Sequence, residues 1–398
     1  MDARLQHSDS VRLLHHNLKS LYKSMRVFHI ITHFDLGGAE RVAANIAKSA
    51  TEGMEYHIVE VVRGSSQYTP KFIFELQCAG IRCHRSLMPD ISFHFLFERI
   101  AALLFPLRFI FIYMRWRPDI IHVHTETADM SIYAFSRAFP WLRRHRIVRT
   151  IHNTRLWSGL PRLAKAIEPF FISRRANVAI SASVRDSYDA RFGQKAPIIY
   201  NGVPETPQKP YPFIDRSRTN ILFAGRMEAQ KGIDTMIEVV KRMQFCKDYL
   251  FHIMGNGSMR EKVEQALGKL PNVRITDAVY ALPSLLSSFD YLFMPSEFEG
   301  LSMLSMEASI NGLPVIANDC PGLGDTLPPS WRLKVQGNSV EAYMHIFRSV
   351  LPTADRDALV SEARQFALRH FTIRLMQQHY EDFYRSLLHN ADYNVPLQ

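Results

Sequence analysis

Glu299 and Glu307 stand eight residues apart in the stretch SEFEGLSMLSMEASINGLPVI at 296–316, so a helix running through both would set them on one face, two turns apart. Gly300 follows the first. A helix starting just beyond it would turn free N–H groups near Leu301, Ser302 and Met303 toward an anion, with the helix dipole in support. Glu307 lies among Ser305, Met306, Ala308 and Ser309, so it is expected to be partly buried and to need a bonding partner such as a ribose diol.

The segment GRMEAQKG at 225–232 supplies the opposite charge. Gly225 lets the backbone approach a ligand at the end of a strand, and Arg226 and Lys231 put two cations there, enough for a diphosphate. Spacing alone leaves both readable as solvated loop charges. MGNGS at 254–258, with Gly255 and Gly257, and HFDLGGAER at 33–41, with Gly37 and Gly38, are further glycine-bearing turns. Neither is G-x-G-x-x-G, which counts against a dinucleotide dehydrogenase. His152, closing the run IVRTIH, faces the same kind of edge and is read first as a packed polar residue. His122 and His124 point the same way from a strand but show no third ligand, and Asp355 and Asp357 suit the start of a helix, so no metal site is expected.

Such turns need rigid supports. Strand-like runs fall at 28–34, 56–62, 119–124, 147–152, 177–182 and 197–202, then at 220–225, 250–255, 273–278, 291–296 and 314–319, with amphipathic helical stretches between them. This is an α/β pattern, and each set predicts one doubly wound parallel sheet. The prolines at 204, 207, 210 and 212 predict a linker over 204–217. The expected organisation is an extension at 1–24, a first domain at 25–203, the linker, a second domain at 218–370 and a closing helix at 371–390. Met25 is an alternative start, because a strand-like run follows it at once.

The chain has 398 residues, 47% hydrophobic and 22% charged, which excludes a disordered chain and a single small domain. Its net charge of +10 suits an anionic partner, a membrane face or a phosphorylated small molecule, and no nucleic-acid module is present. Four cysteines without a C-x-x-C pair suggest neither a disulfide framework nor structural zinc and point to a reducing, cytoplasmic setting. The most apolar stretch, 100–114, is about 22 Å long as a helix against a hydrocarbon core of about 30 Å, and it carries Arg108 and Pro106. It reads either as a helix lying along a membrane interface or as one buried on a sheet.

Together these residues resemble the retaining, nucleotide-sugar-dependent glycosyltransferases of family 4 (glycosyl transferases group 1), particularly those of bacterial surface-polysaccharide assembly. The likeness runs from 25 to about 388. It is carried by GGAER, Tyr200-Asn201-Gly202-Val203, GRMEAQKG, MGNGS, the E-x7-E pair with Gly300 and the Gly312-Leu313-Pro314 turn, in that order along the chain. It implies a GT-B fold, two Rossmann-like doubly wound domains facing a central cleft, with the closing helix crossing back to the first domain. By resemblance, Arg226 and Lys231 hold the donor's diphosphate, Glu307 its ribose, and Glu299 lies beside the donor sugar. Gly38, with Gly37, closes on the phosphate, His152 lies near the reacting sugar, and Gly225, Gly255, Gly257 and 300–303 line the donor.

Where this chain has Ser302 the family commonly has Gly or Pro, a difference that bears on donor preference. The implied catalytic set is Glu299, His152, Arg226 and Lys231, acting without a metal or other cofactor. The implied partners are a nucleotide-diphosphate sugar and a lipid-linked saccharide, and no nucleic acid; the basic stretch 143–146, with Arg155, Arg162, Lys165, Arg174 and Arg175, and the apolar 100–114 segment are suited to rest on an anionic membrane surface, consistent with such an acceptor. The competing readings are a nucleotide-sugar 2-epimerase of similar fold and a non-catalytic membrane-associated scaffold.

Overall fold

A computed structural model describes residues 24–35, 37–49, 51–89, 94–142 and 144–389. The expected extension, Arg143 of the basic stretch 143–146 and residue 390 lie wholly or almost wholly outside them. The chain forms two compact units, Met1–Arg149 and Thr150–Gln398.

Parallel strands rich in Ile, Val and Phe build two sheets of six. The first contains β1 (Met25–Ile31), β2 (Met54–Glu60), β3 (Arg82–His84), β4 (Ile120–Val123), β5 (Arg146–Ile151) and β6 (Asn177–Ala179), in the order β3-β2-β1-β4-β5-β6. The second contains β7 (Thr219–Ala224), β8 (Tyr249–Met254), β9 (Val273–Thr276), β10 (Tyr291–Met294), β11 (Val315–Asn318) and β12 (Lys334–Val335), in the order β12-β11-β10-β7-β8-β9. Both are doubly wound, so each reverses direction at one point, between β1 and β4 and between β7 and β10. In such sheets ligands bind outside the carboxyl ends of the strands at that reversal.

Two strands differ from expectation. Residues 197–202 form no strand and meet β6 only at the single bridge Ala179–Ile198. Pro197 has no N–H to give a ladder, and Gly202 presses against the backbone of Thr372 and Ile373. The short β3 takes the sixth place instead, and β12, shorter still, was also unread. The strand expected over 177–182 stops at Ala179 because Ser181 caps the following helix, its hydroxyl accepting from the Val184 N–H at 3.1 Å.

In the first unit, α1 (Gly38–Ala47), α2 (Thr69–Cys78), α3 (His94–Trp116) and α4 (Glu126–Ala138) cover the sheet. In the second, α5 (Pro161–Ile172) and α6 (Ala182–Phe192) precede the proline-rich coil at 204–217. There α7 (Ile233–Arg242), α8 (Arg260–Leu267), α9 (Met303–Ile310), α10 (Val340–His345), α11 (Arg356–His370) and α12 (Ile373–His389) follow. Asp355 caps α11 by accepting from the Ala358 N–H at 3.1 Å, the role read for it from sequence. The last helix is pinned by the buried Tyr380, whose hydroxyl lies 2.8 Å from that of Thr150 on β5. No helix among the described residues is long and apolar enough to cross a membrane.

Several imidazoles lie in these cores. His29 on β1 joins His122 and His124, so the third partner missing from the sequence reading is present: the ligand atoms of the three lie within 4.8 Å of one another. His29 Nδ1 is 2.8 Å from His124 Nε2, and burial pushes the His29 pKa down to about 3. On β8, His252 faces Asn220 Oδ1 at 3.0 Å through Nε2, and its buried Nδ1 has no partner; burial lowers its pKa to about 4.

A histidine held neutral in the fold but protonated when unfolded near pH 6.5 gives stability that is complete above that value. The stability is lost as pH falls toward the folded pKa, at about 1.4 kcal/mol per pH unit for each proton. The melting temperature is therefore expected to fall steadily between pH 7 and pH 5, and less steeply in His252→Gln. A pH-independent melting temperature in scanning calorimetry would contradict this.

Candidate active site

The carboxyl ends of β7, β8 and β10, all in the second unit, carry every donor-lining turn singled out in the sequence except that of Gly37 and Gly38. After β7 the chain passes Gly225 and Arg226 into a short turn of 3-10 helix, Ala229–Lys231, and then α7. After β8 it passes through the MGNGS turn. Gly255 has φ +151 and lies so close to Gly225 that a Cβ there would sit 1.9 Å from the Gly225 carbonyl oxygen. The two turns are laced together, the Met227 N–H donating to the Asn256 carbonyl and the Met259 N–H to the Met227 carbonyl, each at 2.9 Å. Glu228 adds a strut, accepting from the Ser258 hydroxyl at 2.6 Å and its N–H at 2.9 Å. Those bonds, before the charge of Arg226, hold the Glu228 carboxyl below its usual range.

The turn after β10 is fixed as closely. The Glu297 N–H donates to the Gln230 carbonyl at 2.8 Å, and the Gln230 amide donates to the Phe298 carbonyl at 3.0 Å. Asn318 donates to the Ser296 carbonyl at 2.9 Å, and Asn338 donates to Glu297 at 2.7 Å and to the Pro295 carbonyl at 2.9 Å. This framework brings Lys231 and Glu299 together as an ion pair, Nζ to Oε1 at 2.5 Å, and the buried Ser296 hydroxyl donates to the same oxygen at 2.9 Å. Arg226 is exposed at the mouth of the turn.

The helix does not run through both glutamates. Glu299 lies in the turn ahead of α9, its N–H donating to the Pro321 carbonyl, and Glu307 lies within the helix, half-buried. Ser302 is the N-cap: its hydroxyl accepts from the Ser305 N–H at 3.5 Å. Its own N–H donates to the Gly322 carbonyl at 2.9 Å, so of the three donors expected to face an anion this one is engaged inside the fold. Leu301 and Met303 flank it at the head of the helix. Gly300 fits because its α-carbon faces the His152 carbonyl, where a Cβ would approach to 1.9 Å.

His152 itself is half-buried just beyond β5, and burial pushes its pKa down to about 3, so its imidazole is neutral near pH 7. Cys320 is buried near the same loop. Burial first, then the charges of Glu299 and Glu297, push its thiol up to about 12, which removes it as a nucleophile at neutral pH.

Gly37 and Gly38 lie in the first unit, at the start of α1 after β1. Gly38 has open space where a side chain would be, whereas at Gly37 that space is filled by the carboxylate of Glu40, folded back over the helix start. Burial raises the Glu40 pKa. The helix end read as open to phosphate is thus partly covered by the chain itself.

Sequence reasoning missed Ser296, Asn318, Asn338 and Gly322. Ser296 and Asn318 had a legible signal, since each follows or closes a strand as a small polar residue. Asn338 lies twenty residues beyond its partner Asn318, with φ +51, and had none.

A lysine, a carboxylate and an exposed arginine thus meet at the β7–β10 reversal. Residues 36–206 match the model for Glycosyltransferase Family 4, and residues 218–351 match the model for Glycosyl transferases group 1. The chain belongs to the family 4, group 1 glycosyltransferases.

Among curated relatives it is 27% identical over 233 residues to a 41.2 kDa protein in the cps region of Klebsiella pneumoniae, covering 52% of this chain. The chain spans 62% of that protein's length. Among solved structures, a glycosyltransferase of Rickettsia africae superposes with a TM-score of 0.74 at 17% identity, over 93% of this chain and 100% of that one. HepE of Anabaena, in complex with UDP and glucose, gives 0.74 at 17% identity, over 91% and 100%. At that identity the likeness establishes the GT-B glycosyltransferase fold alone.

The Gly225–Gly255 contact is the joint on which the donor-side turns depend. Gly255→Ala must push the β7 turn aside, at a cost of roughly 1–3 kcal/mol. The expected result is a melting temperature lower by several degrees, measured by circular dichroism, while a variant as stable as the parent would show that the two turns are not rigidly joined.

Proposed function

We propose that this chain transfers a sugar from a nucleoside-diphosphate sugar to a saccharide acceptor carried on a lipid, in the building of a surface polysaccharide, with retention at the anomeric carbon. The observation that carries the reading is the Lys231–Glu299 pair at the strand reversal of the second sheet, beside the exposed Arg226. Family membership supports the transfer chemistry. A UDP- and glucose-bound structure of the same fold supports a nucleotide-sugar donor, and the relative in a cps region supports a polysaccharide role.

Breaking the bond from sugar to phosphate leaves negative charge on the departing diphosphate. Arg226 and Lys231 meet that charge as it grows, so they stabilise the transition state more than the ground state, and the reading asks for no metal ion. Before donor binds, Lys231 is held by Glu299, so the pair serves as a preset clamp: the diphosphate takes over the ammonium and the freed carboxylate turns to the hydroxyls of the sugar. Ser296 keeps one carboxylate oxygen in place during that exchange. Glu307, half-buried on α9, is assigned to the ribose diol. The neutral imidazole of His152 is suited to a hydrogen bond near the reacting sugar, and in the retaining course that the resemblance implies a phosphate oxygen assists deprotonation of the acceptor.

Lys231→Ala and Glu307→Ala are each expected to lower turnover at least tenfold with circular dichroism unchanged, and near-parental rates in both would defeat the site assignment. Thermal-shift screening against UDP-, GDP- and ADP-sugars selects the donor. Product analysis then separates transfer from 2-epimerisation, since release of a glycosylated acceptor supports the first and interconversion of free nucleotide sugar the second.

A further inference from the structure

Helix α3 is apolar on two sides. Its inner side buries Ala101, Ala102, Phe105, Phe109 and Tyr113, with Phe109 set edge-on against Phe28 of β1 and Phe135 of α4. Its outer side leaves Leu96, Ile100, Leu103, Leu107, Phe111 and Met114 between 42% and 75% exposed. At about 100° per residue those six fall within an arc of about 80°, and the stripe runs about 27 Å along the axis. A continuous apolar stripe of that length on a folded surface marks an interaction site rather than scattered surface residues.

The charges on its borders identify the partner. On the same wheel Arg99 lies about 40° beyond one edge and Arg115 about 40° beyond the other. The sole acidic residue of the helix, Glu98, is turned to the far side, where it accepts from the Thr127 hydroxyl at 2.6 Å. Trp116, at the C-terminal end, is turned to the far side as well, edge-on to His57 of β2 at 4.9 Å. A second copy of the chain packing stripe against stripe would set arginine borders against arginine borders with no carboxylate between them. A bilayer with anionic headgroups meets these features, since acyl chains accept the apolar stripe and phosphates meet the arginines.

We propose that the outer stripe of α3 seats the first unit on the face of an anionic bilayer, lying along it without crossing it. The inference stands apart from the donor chemistry of the second unit.

The test is co-sedimentation of the full chain with extruded vesicles of phosphatidylcholine alone or with about one-third phosphatidylglycerol, at low and high salt. The parent is expected to pellet with the anionic vesicles, at least tenfold more weakly with neutral ones, and to be partly released by salt. The triple variant Leu103→Ser, Leu107→Ser, Phe111→Ser changes exposed side chains only, so its circular dichroism and its melting temperature should be kept while vesicle binding drops at least tenfold. Arg99→Glu with Arg115→Glu should remove the preference for anionic lipid. Equal binding to both vesicle types, or triple-variant binding at the parental level, overturns the proposal. So does a dimer in analytical ultracentrifugation that the triple variant dissociates while no vesicle binding is seen. Donor turnover on a soluble acceptor, unchanged in the triple variant, keeps this result separate from failure of the transferase reading.

Discussion

The organisation of the second unit depends on one buried contact between unlike charges. A lysine at the end of a 3-10 turn and a glutamate in the loop after β10 are held 2.5 Å apart, and a serine hydroxyl fixes the carboxylate from behind. In water such a pair is worth little, because solvent screens it and two flexible side chains must be ordered. Here both side chains are largely shielded and their backbones are already placed, so the ordering cost is met by the fold. The same arrangement leaves the pair exchangeable. A diphosphate offers the ammonium more negative charge than a single carboxylate does.

That placement comes from close backbone approach rather than from side-chain packing. Gly255 lies against Gly225 and Gly300 against His152, and in each case a methyl group would fall within 2 Å of a carbonyl oxygen. Amide ties from Gln230, Asn318 and Asn338 then fix the loops to one another. Loops built in this way keep their geometry without covering the ligand surface with side chains, which is what a site at the open end of a sheet requires.

The two units use their apolar surface differently. Among the described residues, the second keeps its large apolar side chains inside the sheet-helix layers, with Phe245, Phe213 and Leu388 as exposed exceptions. The first places an unbroken apolar stripe outside, on α3, while its inner face fills the core. Helix α3 continues through Pro106, which lies on the buried side, so the missing N–H does not open the outer face. The core of that unit is polar as well as apolar, since it holds the His29, His122 and His124 set and the buried ion pair of Arg149 with Asp129, 2.9 Å apart.

Much of this was legible in the order of residues. Alternation of short β-branched runs with amphipathic stretches determines an α/β chain, because the period of side chains along a strand or helix is a local property. The glycine turns and the charges of Arg226, Lys231, Glu299 and Glu307 could be named for the same reason. The sequence could not show that Glu299 stands before the helix and not within it, that Ser302 spends its N–H on Gly322, or that Glu40 folds back over Gly37. It could not place His29 beside His122 and His124. Each of these depends on which distant backbone atom lies opposite, and sheet order decides that: residues ninety apart become neighbours only when β1 pairs with β4. Local chemistry is written along the chain; the choice of partner for each donor and acceptor is made by the tertiary structure.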